Sequence, residues 1–147
     1  MDYTLQHIED ETTLHASFDL MRVLRPHLCD PQRYVAQLLR QFHQGYRLLA
    51  AWHGQTLVGL AGYRTTENLI YGRFVYLDDL VVSPERQGSG LGAALLSAVR
   101  EEAVRLQCEN LVLDTGLHMA LAQRFYFRQG LLAKGMHFTQ TLNENRA

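Results

Sequence analysis

Val81-Val82-Ser83-Pro84-Glu85-Arg86-Gln87-Gly88-Ser89-Gly90-Leu91-Gly92-Ala93 is the stretch from which the rest of the chain can be read. Apolar β-branched residues lead into a polar segment with three glycines in five positions, and an apolar helical pattern follows. Glycine permits turns that aim backbone N–H groups inward and lets a ligand approach the main chain closely. The first turn of the helix adds unpaired N–H donors and the positive end of the helix dipole. A phosphate or diphosphate suits such a strand–loop–helix junction. Arg86 can add a charge-assisted contact. A bare turn explains the three glycines poorly, because each costs conformational entropy on folding.

Two familiar phosphate motifs do not account for the stretch. A Walker loop needs GxxxxGK[ST], and the one lysine of the chain, Lys134, lies far away. Gly88-x-Gly90-x-x-Ala93 fits the dinucleotide pattern G-x-G-x-x-A, with Asp114 about 20 residues on. That pattern wants its first glycine at the strand end, whereas Gly88 comes six positions after Val82, and too little chain follows Asp114 for the remaining units.

Working outward, residues 73–82 (RFVYLDDLVV) read as a long strand from their aromatic and β-branched content. Residues 47–52 and 56–63 read as a hairpin about His53-Gly54-Gln55, and residues 65–71 as a polar loop. Toward the start, residues 3–8 suggest an opening strand, and Leu14, Phe18 and Met21 recur at helical spacing up to Pro26. Asp30-Pro31 reads as the N-cap and first position of a second helix. Beyond the glycine loop come a helix at 91–107, a short buried strand at 111–113, a helix at 120–129 ended by Gly130, and a last strand over 131–142. The order β-α-α-β-β-β-α-β-α-β predicts one domain of the α/β (mixed α+β) class, a mixed sheet with helices on both faces.

With Gln87-x-x-Gly90-x-Gly92 following Val82-Ser83-Pro84, the chain resembles the GNAT superfamily of acyl-CoA-dependent N-acetyltransferases, whose loop pattern is Q/R-x-x-G-x-G/A. A second block, Ala122-Gln123-Arg124-Phe125-Tyr126-Phe127-Arg128-Gln129-Gly130-Leu131, is similar to that family's A-x-x-F-Y-x-x-x-G-F helix. The resemblance is to small bacterial members and covers nearly the whole chain. Met119 stands where the family often has an asparagine that contacts CoA, and Leu131 replaces a phenylalanine. The implied fold is a single domain, residues 1–147, with a mostly antiparallel sheet.

The resemblance also implies a reaction: acetyl transfer from acetyl-CoA, a cosubstrate, to the primary amine of a small molecule by direct attack in a ternary complex. The backbone of Gln87, Gly88, Ser89, Gly90, Leu91, Gly92 and Ala93, with Arg86, would hold the CoA pyrophosphate. The pantetheine arm would lie along main-chain groups of Leu80, Val81 and Val82, like an added strand. The amine must lose a proton, since an alkylammonium of pKa about 10 is no nucleophile. Asp78 and Asp79 are the nearest carboxylates, and strand alternation sends them to opposite faces; Glu67 and His118 are weaker candidates. Tyr126 matches the family tyrosine that protonates the departing thiolate. The first two helices and residues 65–73 would build the acceptor site, where Arg22, Arg25, His27, Tyr63, Glu67 and Tyr71 are available. Two alternatives stay open: a protein (lysine or N-terminal) acetyltransferase, and a non-catalytic CoA-binding regulatory module.

Composition narrows the partners. Fourteen basic against fifteen acidic residues leave a formal net charge of −1, which argues against a general nucleic-acid binder. Thirteen of the fourteen cations are arginines, which suit planar oxyanion recognition. No apolar run is long enough for a membrane span, and the first ten residues do not read as a targeting peptide. Cys29 and Cys108 stand far apart and read as two buried, reduced thiols of a cytoplasmic protein. None of the seven histidines forms an HxxxH or HxH pair, so no metal is expected. A homodimer is compatible with the resemblance.

Overall fold

The computed structural model describes residues 2–143. The chain divides into two compact units, residues 1–113 and residues 114–147. In the first unit the order is β1 (Thr4–His7), α1 (Glu11–Leu24), α2 (Pro31–Phe42), β2 (Tyr46–His53), β3 (Thr56–Asn68), β4 (Gly72–Val82), a single 3₁₀ turn (Pro84–Arg86), α3 (Leu91–Arg105) and β5 (Asn110–Leu113). The strands form one sheet in the order β1-β2-β3-β4-β5. Every pairing is antiparallel except β4 with β5, which is parallel. The second unit contributes α4 (Ala120–Arg128).

Local sequence explains the first two helices. The Asp10 side chain accepts the Thr13 N–H, and Asp30 accepts those of Gln32 and Arg33 with Pro31 at the first helical position. Each helix buries one stripe. Leu14, Phe18 and Met21 of α1 and Tyr34, Val35 and Leu38 of α2 pack with Leu48, Ala50, Leu60 and Val81 of the sheet. Leu14, Leu48 and Leu60 have no exposed surface, and burying a leucine is worth about 1.5–3 kcal/mol. The neighbouring strand positions, Ala51 and Gly59, face Leu91 and Leu95 of α3 instead. Because side chains alternate along a strand, α3 covers the opposite face from α1 and α2.

Four expectations change. Residues 65–68, expected as loop, continue β3: Thr65 pairs with Val75 and Thr66 with Phe74. β-Branched threonines suit a strand, and the turn begins only at Asn68, whose side chain accepts the N–H groups of Ile70 and Tyr71. Residues 131–142, expected as a last strand, form none among the described residues. Leu132, Met136, Phe138 and Leu142 there are exposed. Alternation makes a strand only where a neighbour completes the backbone ladder. β5 is half-buried rather than buried, because it lies at the edge of the sheet. The two cysteines are free, but Cys29 is exposed in the connection between α1 and α2, and Cys108 is half-buried. Among the described residues no helix is long and apolar enough to cross a membrane.

Candidate active site

β5 pairs with β4 only from Phe74 to Leu77. From Asp78 to Val82 the same side of β4 has no strand partner among the described residues. Its other side stays bonded to β3, and Ser83 carries that ladder one step further by donating its N–H to Val58. An unpaired strand edge offers a row of main-chain donors and acceptors to an extended ligand with amides of its own. Leu80, Val81 and Val82, the residues expected along a pantetheine arm, lie on this stretch.

The chain then enters the glycine loop. Gly88 and Gly90 have φ of +80° and +87°, left-handed conformations that side chains bearing a Cβ adopt at a cost. Ser89 donates its N–H and its hydroxyl to the Arg86 carbonyl, and Gln87 donates its N–H to Pro84 over 3.4 Å. Two of the amides expected to face a diphosphate, those of Gln87 and Ser89, are therefore engaged within the loop. The helix start is different. Gly90 caps α3 with no side-chain hydrogen bond, and no acidic residue stands in the first turn. The amides of Leu91, Gly92 and Ala93 occupy positions that have no carbonyl partner inside a helix. In α1 and α2 an aspartate takes up such donors, whereas the loop side of α3 keeps them together with the positive dipole end.

The two candidate carboxylates stand where β4 bulges. Gly62 lies opposite Asp79 and Tyr63 opposite Leu77, so Asp78 is an extra residue on β4. A bulge interrupts the alternation of side chains, and the expectation that Asp78 and Asp79 point to opposite faces fails for that reason. Both are paired with arginine. Arg64 binds Asp78 through Nε and Nη2, each at 2.8 Å, and its guanidinium lies over the Tyr76 ring. Arg25, just past the end of α1, donates to the Asp79 carboxylate at 3.1 Å and to the Asp78 carbonyl at 2.7 Å. The Tyr46 hydroxyl donates to Asp79 at 2.8 Å.

Electrostatics separate these groups. Burial pushes the Asp79 carboxyl above its usual range, while the Tyr46 hydroxyl and Arg25 pull it back. Burial and the neighbouring Asp79 push the Tyr46 phenol well up, so it stays a donor. The hydrogen bonds that Arg64 donates to Asp78 raise the pKa of its guanidinium further. Gly62 makes the arrangement possible: a Cβ there would lie 1.8 Å from the Tyr46 hydroxyl oxygen.

Of the residues expected to form an acceptor site, Arg25 reaches the bulge, but Tyr63 is buried with its hydroxyl 2.7 Å from His7 Nε2. Asp78 instead opens onto a cleft of about 430 Å³ lined by Gln37, Arg40, Gln41 and Gln44 of α2 and by Arg64. The sequence reading missed these α2 residues. Their signal was the polar face opposite Tyr34, Val35 and Leu38, indistinguishable from an ordinary solvated helix face. In the second unit, Tyr126 is half-buried on α4, its ring packed edge-on to Phe125 with centroids 5.2 Å apart. Gln123 donates to the carbonyls of Gly116 and Leu117 and ties the start of this helix to the preceding turn.

Known proteins share the family and the fold. The model of the acetyltransferase (GNAT) family matches residues 10–131. The aminoalkylphosphonate N-acetyltransferase of Salmonella typhimurium is 31% identical over 98 residues, which are 66% of this chain and 62% of that protein. The chain thus spans under two thirds of the length of that relative. Among solved structures, an acetyltransferase of Trypanosoma brucei superposes with a TM-score of 0.80 at 23% identity, covering 96% of this chain and all of the other. An aminoglycoside N-acetyltransferase solved with CoA gives a TM-score of 0.84 at 16% identity, covering 96% and 95%. Likeness at these identities speaks for the fold.

Proposed function

The chain belongs to the GNAT family of acetyltransferases, and from that premise we propose that it acetylates the primary amine of a small molecule by direct attack in a ternary complex with acetyl-CoA, residues 1–147 acting as one domain. The observation that carries the reading is the unpaired edge of β4 running into the uncapped start of α3. These features fit the two ends of one cosubstrate: amides along the edge for the arm, N–H donors at the helix start for the diphosphate.

When bound, acetyl-CoA supplies the thioester electrophile. The chain supplies the rest. Gly88, Gly90, Leu91, Gly92 and Ala93 offer main-chain donors to the diphosphate, and Arg86 adds charge; the amides of Gln87 and Ser89 shape the loop. Leu80, Val81 and Val82 align the arm, and an N–H of this edge polarises the thioester carbonyl. Asp79 takes the amine proton. Its raised pKa brings it nearer the operating pH, where a general base is most effective. Asp78, beside it and lining the cleft, offers its remaining carboxylate lone pairs to the N–H groups of the amine. Tyr126 returns a proton to the thiolate, an assignment resting on the match of its helix to the family pattern. The named relative acts on an aminoalkylphosphonate, in keeping with a small amine as acceptor.

The test is CoA release over a panel of small amines and peptides. We expect turnover with small amines and a loss of about 10²-fold or more in Asp79→Asn and Tyr126→Phe. Preference for peptides would replace the small-molecule acceptor with a protein. Absence of acetyl-CoA binding by calorimetry would end the enzymatic reading.

A further inference from the structure

We infer that the cleft beside Asp78 selects an amine that also carries an oxyanion, and that Arg40 is the residue that reads it. This deepens the proposed function and rests on it for the direction of the amine, but the charge argument concerns the cleft alone. Three charged side chains line the cleft, Arg40, Arg64 and Asp78, and Arg25 and Asp79 stand behind Asp78. Asp78 is taken by both arms of the Arg64 fork, and Asp79 by Arg25. Arg40 remains, and among the described residues it has no ion pair or side-chain hydrogen bond. The unbalanced charge of the cleft is therefore positive.

The neutral groups lean the same way. Gln37 donates its amide Nε2 to Gln41 Oε1 at 3.0 Å. That bond occupies one lone pair of the Gln41 oxygen and leaves its NH₂ group for a ligand. Arg64 spends Nε and Nη2 on Asp78 and keeps Nη1. Arg40 brings a planar guanidinium suited to two-point contact with a carboxylate or phosphonate. The carbonyls of Arg40, Gln41 and Phe42 at this end of α2 already accept N–H groups from His43, Gln44 and Gly45, so they compete little for the guanidinium. A donor-rich cleft with one unneutralised arginine suits an oxyanion at its outer end and the amine of the same molecule at the bulge.

The experiment compares four acceptors of equal chain length: an aminocarboxylate, the corresponding aminophosphonate, the neutral amino alcohol and a diamine. Each is followed by binding calorimetry and by CoA release, in wild type, Arg40→Gln and Arg40→Lys. Arg40 is exposed, and a thermal melt confirms that the variants fold. We expect wild type to favour the two anionic acceptors by about tenfold or more in kcat/KM. Arg40→Gln should erase that preference through KM, and Arg40→Lys should keep part of it. The carboxylate and phosphonate arms reveal which oxyanion fits better. An equal loss for all four acceptors in Arg40→Gln, or a wild-type preference for the diamine or amino alcohol, overturns the inference while leaving acetyl transfer intact. Calorimetric binding of an anionic amine that depends on Arg40, with no CoA release from any acceptor, upholds the cleft and overturns the proposed reaction.

Discussion

His7 sits on β1 with its ring edge-on to Tyr63, and burial holds its imidazole below the usual 6.5, with Arg47 adding to the effect and Glu102 and Glu9 opposing it. The unfolded chain therefore takes up a proton at this site more readily than the folded one. Stability that is full above about pH 6.5 must fall as pH drops through that value and on through the folded pKa. We expect His7→Gln, which can keep the bond to Tyr63, to flatten the loss of melting temperature between pH 7.5 and 5.5. Because the ring is only half-buried, solvent screening keeps the effect small. Asp79 runs the other way. Its raised pKa makes the ionised form costlier in the folded chain than in the unfolded one, which is compatible with work as a base and not with service as a stabilising charge. Its ordinary ionisation was legible in the sequence; its environment was not. Arg25 and Tyr46 lie 54 and 33 residues away along the chain.

At the scale of elements, the bulge on β4 is what turns two adjacent aspartates into neighbours in one electrostatic site. It depends on Gly62, because Tyr46 crosses the sheet directly over that position. Gly62→Ala should cost about 1–3 kcal/mol, the usual penalty for overpacking, and should lower turnover by displacing the hydroxyl that holds Asp79. Chemical denaturation and CoA release measure the two effects. Tyr46→Phe should not rescue the glycine variant, since the ring carbons Cζ and Cε1 would still lie 2.5 and 2.9 Å from the new Cβ. The elements also show where periodicity suffices. The capped helices α1 and α2 were readable because Asp10, Asp30 and Pro31 act within one turn of their own position. The extension of β3 through Thr65 and Thr66 and the missing strand over 131–142 were not, because a strand exists by virtue of its neighbour.

For the whole molecule, the proposal makes acetyl-CoA a ligand of the folded state alone. At a hundred times its Kd it should stabilise the chain by about 2.7 kcal/mol, a rise of roughly 5–10 °C in Tm for a protein of this size. Arg86→Gln should show a smaller rise at the same concentration, and an unchanged Tm in wild type would count against a diphosphate site at the loop. The sequence by itself determined the fold class, the family and the glycine loop that we propose holds the cosubstrate. Glycines, caps and hydrophobic period act locally, so they are written in short windows, and the family pattern spans nearly the chain. Only the tertiary structure decided which loop amides remain for a ligand, that Asp78 and Asp79 share one site under arginine control, and that α2 supplies a donor-rich cleft beside them. Each of these depends on hydrogen bonds, burial and charge balance between segments far apart in sequence, and a charge or a donor has no fixed value until its neighbours are in place.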